Sequence, residues 1–311
     1  MMEGAGPIAC VTGASGMVGG SIAAKLLSKG YRVRVMSRDR SFLIPGAQSF
    51  VGGLEDDHAL SQFLEGSRHL FHCAAELRDE SSMWKVNVGG TEKLLKMTRS
   101  SGLRYLCYIS SVGVTGRAAG PIVDERTRCD PQSMYERSKL AAEQLVMEGI
   151  DGCNVVVLRP TNVIDGRNPG ALLLPIRGTW RDRLAVFVKG GENAHIVHAD
   201  DVADAAVHFI DGGFRKAECY IVSCDDDPGN TFAGLWRLYM KHSRPDVSGR
   251  GPRVLHLPVA VPYVMRSLRR GRVNRGDIRY CSDKLLATGF KFSLGVEGAV
   301  GSIAASTLRG T

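Results

Sequence analysis

No stretch of this chain approaches the roughly 20 consecutive apolar residues that a membrane span requires, so stable insertion into a bilayer is not expected. The opening, MMEGAGPIACVTG, has no charged segment followed by an apolar one, and no secretory signal is read there. Cysteine is sparse and scattered. The eight residues form no CxxC pair, which speaks against a disulfide framework and for reduced core thiols in a cytoplasmic protein. Aromatics make up only 7% of the chain, and the arginine-dense stretch Arg266–Arg279 has none interleaved before Tyr280. Nucleic-acid binding is therefore not expected. The stretch reads as a solvated basic face or as one side of an anionic-ligand site, in keeping with a net charge of +8. Internal repeats and low-complexity segments are missing too.

What is present is an alternation. PIACVTG, YRVRVMSR, HLFHCAAE, RYLCYISS and CNVVVLRP read as strands. Between them MVGGSIAAKLLSKG, HALSQFLEG, WKVNVGGTEKLLKMTRSSG and YERSKLAAEQLVMEG read as helices. Such βαβ units specify an α/β fold of Rossmann type, a doubly wound parallel sheet covered by helices. After Arg159 the rhythm breaks. TNVIDGRNPGALLLPIRG is rich in turn formers and reads as loop, followed by a helix in DDVADAAVHFIDGG, a strand in ECYIVSC and a helix in NTFAGLWRLYMKH. The expected division is a nucleotide-binding domain over residues 1–160 and a smaller, mainly substrate-binding part over 161–311, partly interleaved with the first.

Gly13, Gly16 and Gly19 form GxxGxxG between the first strand and the first helix. Such glycines permit a tight turn, close approach of backbone to a pyrophosphate, and tight packing of helix on sheet. The helix start then offers free N–H groups and a positive dipole to phosphates. Ser15, Met17 and Val18 belong to the same loop. At the end of the second strand an acidic residue would bind the ribose hydroxyls of NAD. Ser37 and Arg38 stand there instead, and a guanidinium suits a 2′-phosphate, so NADP(H) is favoured. Asp39, one step along, keeps NAD(H) as the alternative.

Ser110 and Ser111 end the strand in RYLCYISS, where ligands of a doubly wound sheet bind. Tyr135 and Lys139, four apart in MYERSKLAAEQ, share a helix face. A free phenol has a pKa of about 10. A cation about 4 Å away, at an effective dielectric of about 20, contributes roughly 4 kcal/mol, enough to bring that phenol into acid–base range near neutrality. The expected division of labour is proton exchange by Tyr135, activation by Lys139, and positioning of the substrate oxygen by Ser111.

Taken together, TGASGMVG, HCAAE, NVGGT, ISSVGVTG, YERSK and LRPTNVIDG occur in the order and spacing of the extended short-chain dehydrogenases/reductases, the family of NAD-dependent epimerases and dehydratases. The chain resembles that family from about Pro7 to Asp211, and features such as RVRVMSR and HLFHCAAELRD are similar to its dihydroflavonol-reductase-like and sugar-epimerase branch. The resemblance implies a catalytic triad of Ser111, Tyr135 and Lys139, with Lys139 also holding the nicotinamide ribose. It implies that Leu54, Ala74 and Ala75 line the cofactor cleft and that Asn87 braces the strands beside it. Pro160 and Thr161 would border the nicotinamide, Asn162 would face the substrate, and the enzyme would be a homodimer.

Two departures from the family pattern stand out. ENAHIVHADDV has Ala194 and His195 where members that bind nucleotide sugars carry an arginine for the diphosphate, leaving Arg167, Arg177, Arg181 or the arginine-rich tail as substitutes. Gly53 replaces a common aspartate near the adenine. His195 and His198 make an HxxH in a strand-like segment, pointing to opposite faces, so they read as structural histidines and no metal is expected. The acids of CDDDP read as a solvated cap before a helix. VLHLPVAVPYVM reads as core first, then as a substrate lid, then as a membrane-touching patch.

The leading function is an NADP(H)-preferring oxidoreductase that interconverts a carbonyl and a secondary alcohol on a nucleotide sugar or similar small ketone. An epimerase or dehydratase that retains its cofactor is the alternative. A non-catalytic nucleotide-binding redox sensor is the second alternative, and it has no need of the proton-transfer residues.

Overall fold

The computed structural model describes residues 6–99, 101–213, 216–243, 254–270 and 273–309. The chain begins with β1 (Ile8–Thr12), α1 (Met17–Ser28), β2 (Arg32–Ser37), β3 (Gln48–Val51), α2 (Asp57–Leu64) and β4 (His69–His72). Helix α3 (Glu80–Trp84) runs through a π-turn, Lys85–Gly89, into α4 (Gly90–Thr98). Then come β5 (Tyr105–Ile109), β6 (Ile122–Val123), α5 (Met134–Met147), β7 (Asn154–Pro160) and β8 (Asn162–Ile164). The remainder holds α6 (Leu173–Arg177), α7 (Trp180–Lys189), β9 (Ile196–His198), α8 (Ala199–His208), β10 (Glu218–Val222) and α9 (Phe232–Ser243). It closes with α10 (Ala260–Arg270), β11 (Arg279–Tyr280), α11 (Asp283–Leu286) and α12 (Gly295–Arg309).

Seven strands form one parallel sheet in the order β10-β7-β5-β4-β1-β2-β3, flanked by helices. Every residue of β4, β5 and β7 is buried, which is why these segments are mostly apolar and do not alternate, the polar residues of β4 and β7 standing at or near the strand ends. From β1 the chain builds outward through β2 and β3, then returns to build β4, β5 and β7 on the other side. The reversal between β1 and β4 is the switch point where the strand ends leave a crevice.

The chain divides into two compact units: Met1–Gly116, Pro131–Pro160 and Val202–Tyr220 in one; Arg117–Asp130, Thr161–Asp201 and Ile221–Thr311 in the other. The second contains two small parallel pairs, β8 with β9 and β6 with β11. There α12 packs on α9, and the Asp201 carboxylate accepts from the N–H groups of Ser293, Leu294 and Gly295, satisfying donors at the start of α12.

The structure corrects several readings. The segment 161–178 is not plain loop: it contains β8, a 3₁₀ turn (Gly170–Leu172) and α6. β3 has no counterpart in the sequence reading. The helix expected from Trp84 begins at Glu80 and is interrupted by the π-turn around Asn87. Of the CDDDP acids, Asp225 is buried, taking hydrogen bonds from Asn230 and from the Tyr280 N–H, so it is not a solvated cap. VLHLPVAVPYVM is not core, because Leu255, Val261, Val264 and Met265 are exposed. Within the basic stretch Arg266–Arg279, residues 271 and 272 lie outside the described residues.

Candidate active site

The glycine turn is shaped by contacts that allow no side chain. Gly13 has φ +68°, and a Cβ there would lie 2.6 Å from the Ala74 nitrogen at the end of β4. A Cβ on Gly19 would collide with the Gly13 carbonyl. Gly16 is the N-cap of α1; no side chain caps that end and no acid sits in its first turn. The first N–H groups of α1 are thus left to accept an anion.

These glycines open onto a cleft of about 430 Å³ at the switch point. Of the residues read from sequence, Gly13, Ser15, Gly16, Ser37, Arg38, Leu54, Ala74 and Ala75 line it. Met17, Val18 and Gly19 are instead held within α1. Thr12, Gly52, Glu55, Cys73, Leu77 and Val86 line the cleft as well and were not singled out by the sequence. At the rim, the Ser37 hydroxyl accepts from the Asp39 N–H, and Asp39 Oδ1 accepts from the Ser41 N–H and hydroxyl at 2.8 and 2.7 Å. Arg38 forms no ion pair among the described residues.

Behind the cleft lies a chain of hydrogen bonds. Thr12 Oγ1 accepts from the N–H groups of Cys73 and Ala74 and bonds His72 Nδ1 at 2.8 Å. The other ring nitrogen bonds Thr91 Oγ1, whose hydroxyl donates to the Asn87 carbonyl. Burial, aided by Lys139, drives the His72 pKa down to about 3, so this ring is a neutral brace. Asn87 Oδ1 accepts from the Glu76 N–H, while its Nδ2 donates to the Glu76 carbonyl and to Ser138 Oγ. Ser138 in turn donates to the Tyr135 carbonyl. Asn87 therefore ties the loop after β4 to α5, from inside a π-turn, a feature frequent at functional sites.

Local sequence fixes the next three residues. Ser133 and Glu136 form a capping box, which starts α5 at Met134 and puts Tyr135 in its first turn, with Lys139 one turn further on. Ser111, just past β5, caps a short 3₁₀ turn, its Oγ accepting from the Gly113 N–H at 3.0 Å. The Ser111 hydroxyl lies within reach of the Tyr135 phenol and favours its ionised form. Its neighbour Ser110 turns the other way, donating to the buried Glu143 carboxylate at 2.6 Å. Lys139 is buried, donates to the Ile109 carbonyl at 2.6 Å, and lies 4.2 Å from the centre of the Tyr108 ring.

The electrostatics differ from the simple expectation of a lysine that lowers its tyrosine. Burial pulls the Lys139 ammonium down to about 7, partly offset by Cys73 and Glu143. Burial likewise raises the Tyr135 phenol above its usual value, with Ser111 lowering it and Glu136 raising it. Burial thus disfavours the charged form of both groups. The Cys73 thiol, in the cleft and within electrostatic reach of Lys139, is pushed up to about 12 by burial.

Pro160 closes β7 in the first unit. Thr161 and Asn162 belong to the second unit, where the Thr161 N–H donates to the Val222 carbonyl and Asn162 Nδ2 donates to that of Ala194. His195 has φ 54°, packs edge-on to Tyr280 at 5.1 Å, and bonds the Asp225 carboxylate at 2.6 Å. His198 Nδ1 accepts from the Asp200 N–H. Among the described residues no group of three or more His, Cys, Asp or Glu side chains is arranged to hold a metal. Arg167 and Arg177 are paired with Asp165 and Asp182, and Arg181 lies over the Trp180 ring. A second cavity, of about 550 Å³ and wholly within this unit, is lined by Arg117, Arg128, Asp130, Tyr263 and Asn274 among others. Arg117 pairs with Asp130 there, whereas Arg128 forms no ion pair among the described residues.

A family model described as NAD dependent epimerase/dehydratase family matches residues 9–221. The chain is 33% identical over 208 residues to the protein named y4nG from Sinorhizobium fredii, a match covering 64% of this chain and 52% of that protein. It therefore spans about half the length of that relative. It is 25% identical over 284 residues to a 3 beta-hydroxysteroid dehydrogenase/Delta 5→4-isomerase of Mycobacterium tuberculosis, covering 82% of this chain and 72% of that one. A solved UDP-glucose 4-epimerase of Thermus thermophilus, in complex with NAD, matches with a TM-score of 0.69 at 21% identity, over 98% of this chain and 100% of the other. That last likeness is one of fold.

Proposed function

Because the chain belongs to the NAD-dependent epimerase/dehydratase family, we propose that it is an NADP(H)-preferring oxidoreductase of the extended short-chain type that interconverts a carbonyl and a secondary alcohol. The observation that carries this reading is the set at the end of β5 and the start of α5: Tyr135 beside the Ser111 hydroxyl, with a buried Lys139 one turn behind on α5. A protein that only bound a nucleotide would have no use for the Tyr135 phenol beside the Ser111 hydroxyl.

Residues 1–160 hold the cofactor in this reading, and 161–311 mainly the substrate. The cleft suits a dinucleotide: the Gly13 cradle admits a close pyrophosphate, the uncapped α1 start supplies N–H donors, and Arg38 meets a 2′-phosphate where Asp39 is engaged by Ser41. When bound, the nicotinamide gives or takes the hydride and, oxidised, adds positive charge near the phenol. Ser111 holds the substrate oxygen, and Tyr135 gives that oxygen a proton on reduction or takes it on oxidation. Lys139, fixed on the Ile109 carbonyl, holds the ribose and carries its charge below a pH of about 7.

The substrate is a cyclic secondary alcohol or ketone, the chemistry shared by the relative named for a hydroxysteroid and the solved neighbour named for UDP-glucose. If the substrate carries an anionic group, Arg128 is a cation left to meet it. The enzyme works in the cytoplasm as a homodimer, as the family resemblance and eight free cysteines support. Tyr135→Phe tests the reading: turnover should fall at least about 100-fold with cofactor affinity little changed. Unchanged turnover would remove Tyr135 from the mechanism.

A further inference from the structure

Helix α10 is packed with its apolar side outward. Val261, Val264, Met265 and Leu268 have the i, i+3, i+4, i+7 spacing that normally seats a helix on a core. All four are exposed, Leu268 to 84%. The side turned inward carries the buried Pro262 and the half-buried Arg266, whose guanidinium meets the buried Glu192 carboxylate at 2.7 Å. This ion pair fixes the helix with its stripe toward solvent.

Helix α7, in the same unit, repeats the pattern. Trp180, Leu184 and Phe187 stand at i, i+4, i+7 and are exposed, Trp180 to 70%. The segment leading into α10 runs along the end of α7: the Leu257 N–H donates to the Phe187 carbonyl at 2.8 Å, and Gly190 and Gly191 leave room for the His256 side chain. On that segment Leu255 is 81% exposed.

Charge selects what covers this face. Residues 254–270 contain no acid. Residues 170–191 contain one, Asp182, which is buried and held by Thr179 and Arg177. The same stretches carry Arg181, Arg183, Lys189 and Arg269. Exposed aliphatic side chains, an outward tryptophan and arginines with no exposed carboxylate among them match the headgroup region of an anionic bilayer. An acidic protein groove would pair with the arginines but would not take up so many aliphatic tips. Among the described residues no helix is long and apolar enough to cross a membrane. We propose that α7, α10 and the segment leading into α10 dock the protein peripherally on an anionic lipid surface, with the apolar side chains at the acyl boundary and the arginines on lipid phosphates. The anionic cytoplasmic leaflet is a surface of this kind.

The test is sedimentation of the full chain with vesicles of phosphatidylcholine alone or of phosphatidylcholine and phosphatidylserine in equal parts, at low and high salt. The expected result is binding to the mixed vesicles, weakened by salt, and little binding to phosphatidylcholine. The double variant Met265→Glu, Leu268→Glu should lose binding by at least about tenfold, with its circular dichroism and cofactor titration unchanged. Should that variant misfold, Trp180→Phe replaces it: brominated lipid should quench the fluorescence of the wild type and spare that of W180F. A wild type that stays in solution with both vesicles, or a folded double variant that binds as the wild type does, overturns the proposal. So does a dimer that the double variant splits while neither form binds vesicles, since this face would then join two copies of the chain.

Discussion

At Lys139, burial lowers the ammonium to about 7, while a lysine in the unfolded chain keeps its proton up to its ordinary 10.5. Between those two values the unfolded chain binds more protons than the folded one, so stability rises with pH across that window. Below about 7 both states are charged and this contribution to the slope vanishes. Urea midpoints measured from pH 7 to about 8.5, below the range in which thiols of the unfolded chain ionise, should show the rise, and Lys139→Met should flatten it; an equal slope in the variant would mean that the lysine is not buried in solution. Arg38 makes a second prediction at this scale. Arg38→Asp should weaken NADPH by at least about tenfold more than NADH, as expected for loss of a charge-assisted bond worth roughly 1.5–3 kcal/mol. Equal losses would mark Arg38 as a surface residue. Ser111, Tyr135 and Lys139 stood out in the sequence because their spacing carries a mechanism. The downward shift of the lysine was not legible there, since it depends on how deeply Lys139 is buried, and no spacing reports that. Thr12 and His72 were missed because a polar residue ending a strand has no signature until its partners, Cys73 and Thr91, are in place.

Elements are joined beneath the site by one buried carboxylate. Glu143 on α5 accepts from Ser110 after β5 and from Arg159 near the end of β7, at 2.6 and 2.5 Å. Both ions of the pair are nearly inaccessible to solvent. Glu143→Ala leaves the Arg159 charge buried without its carboxylate and should cost about 3–5 kcal/mol in denaturant unfolding. A loss within the range of ordinary surface substitutions would show that water reaches the guanidinium. β4, β5 and β7 could be read from sequence because strands buried on both faces need continuous apolar runs. β3, β8 and α6, of three to five residues, are too short to show a period. For α10 the period was visible and its direction was not: a stripe shows that one face is apolar, but Arg266 and Glu192 decide which face turns inward.

For the whole molecule, the break in rhythm after Arg159 was visible, but the grouping of Arg117–Asp130 with the second unit depends on contacts distant in sequence, such as that of Asn274 with the Ala118 N–H. The claim on which everything else depends is that the first unit holds a dinucleotide. It is tested most directly by denaturing the purified full chain, identifying any released nucleotide, and titrating NADPH and NADH into protein freed of it. Tightly retained NAD or NADP would favour an epimerase-like cycle, in which the cofactor never needs to leave, and reversible uptake would favour a reductase or dehydrogenase. One nucleotide per chain is expected, with NADPH bound more tightly than NADH and both lost when Gly13→Ala fills the cradle against Ala74. Binding of neither nucleotide would contradict the claim.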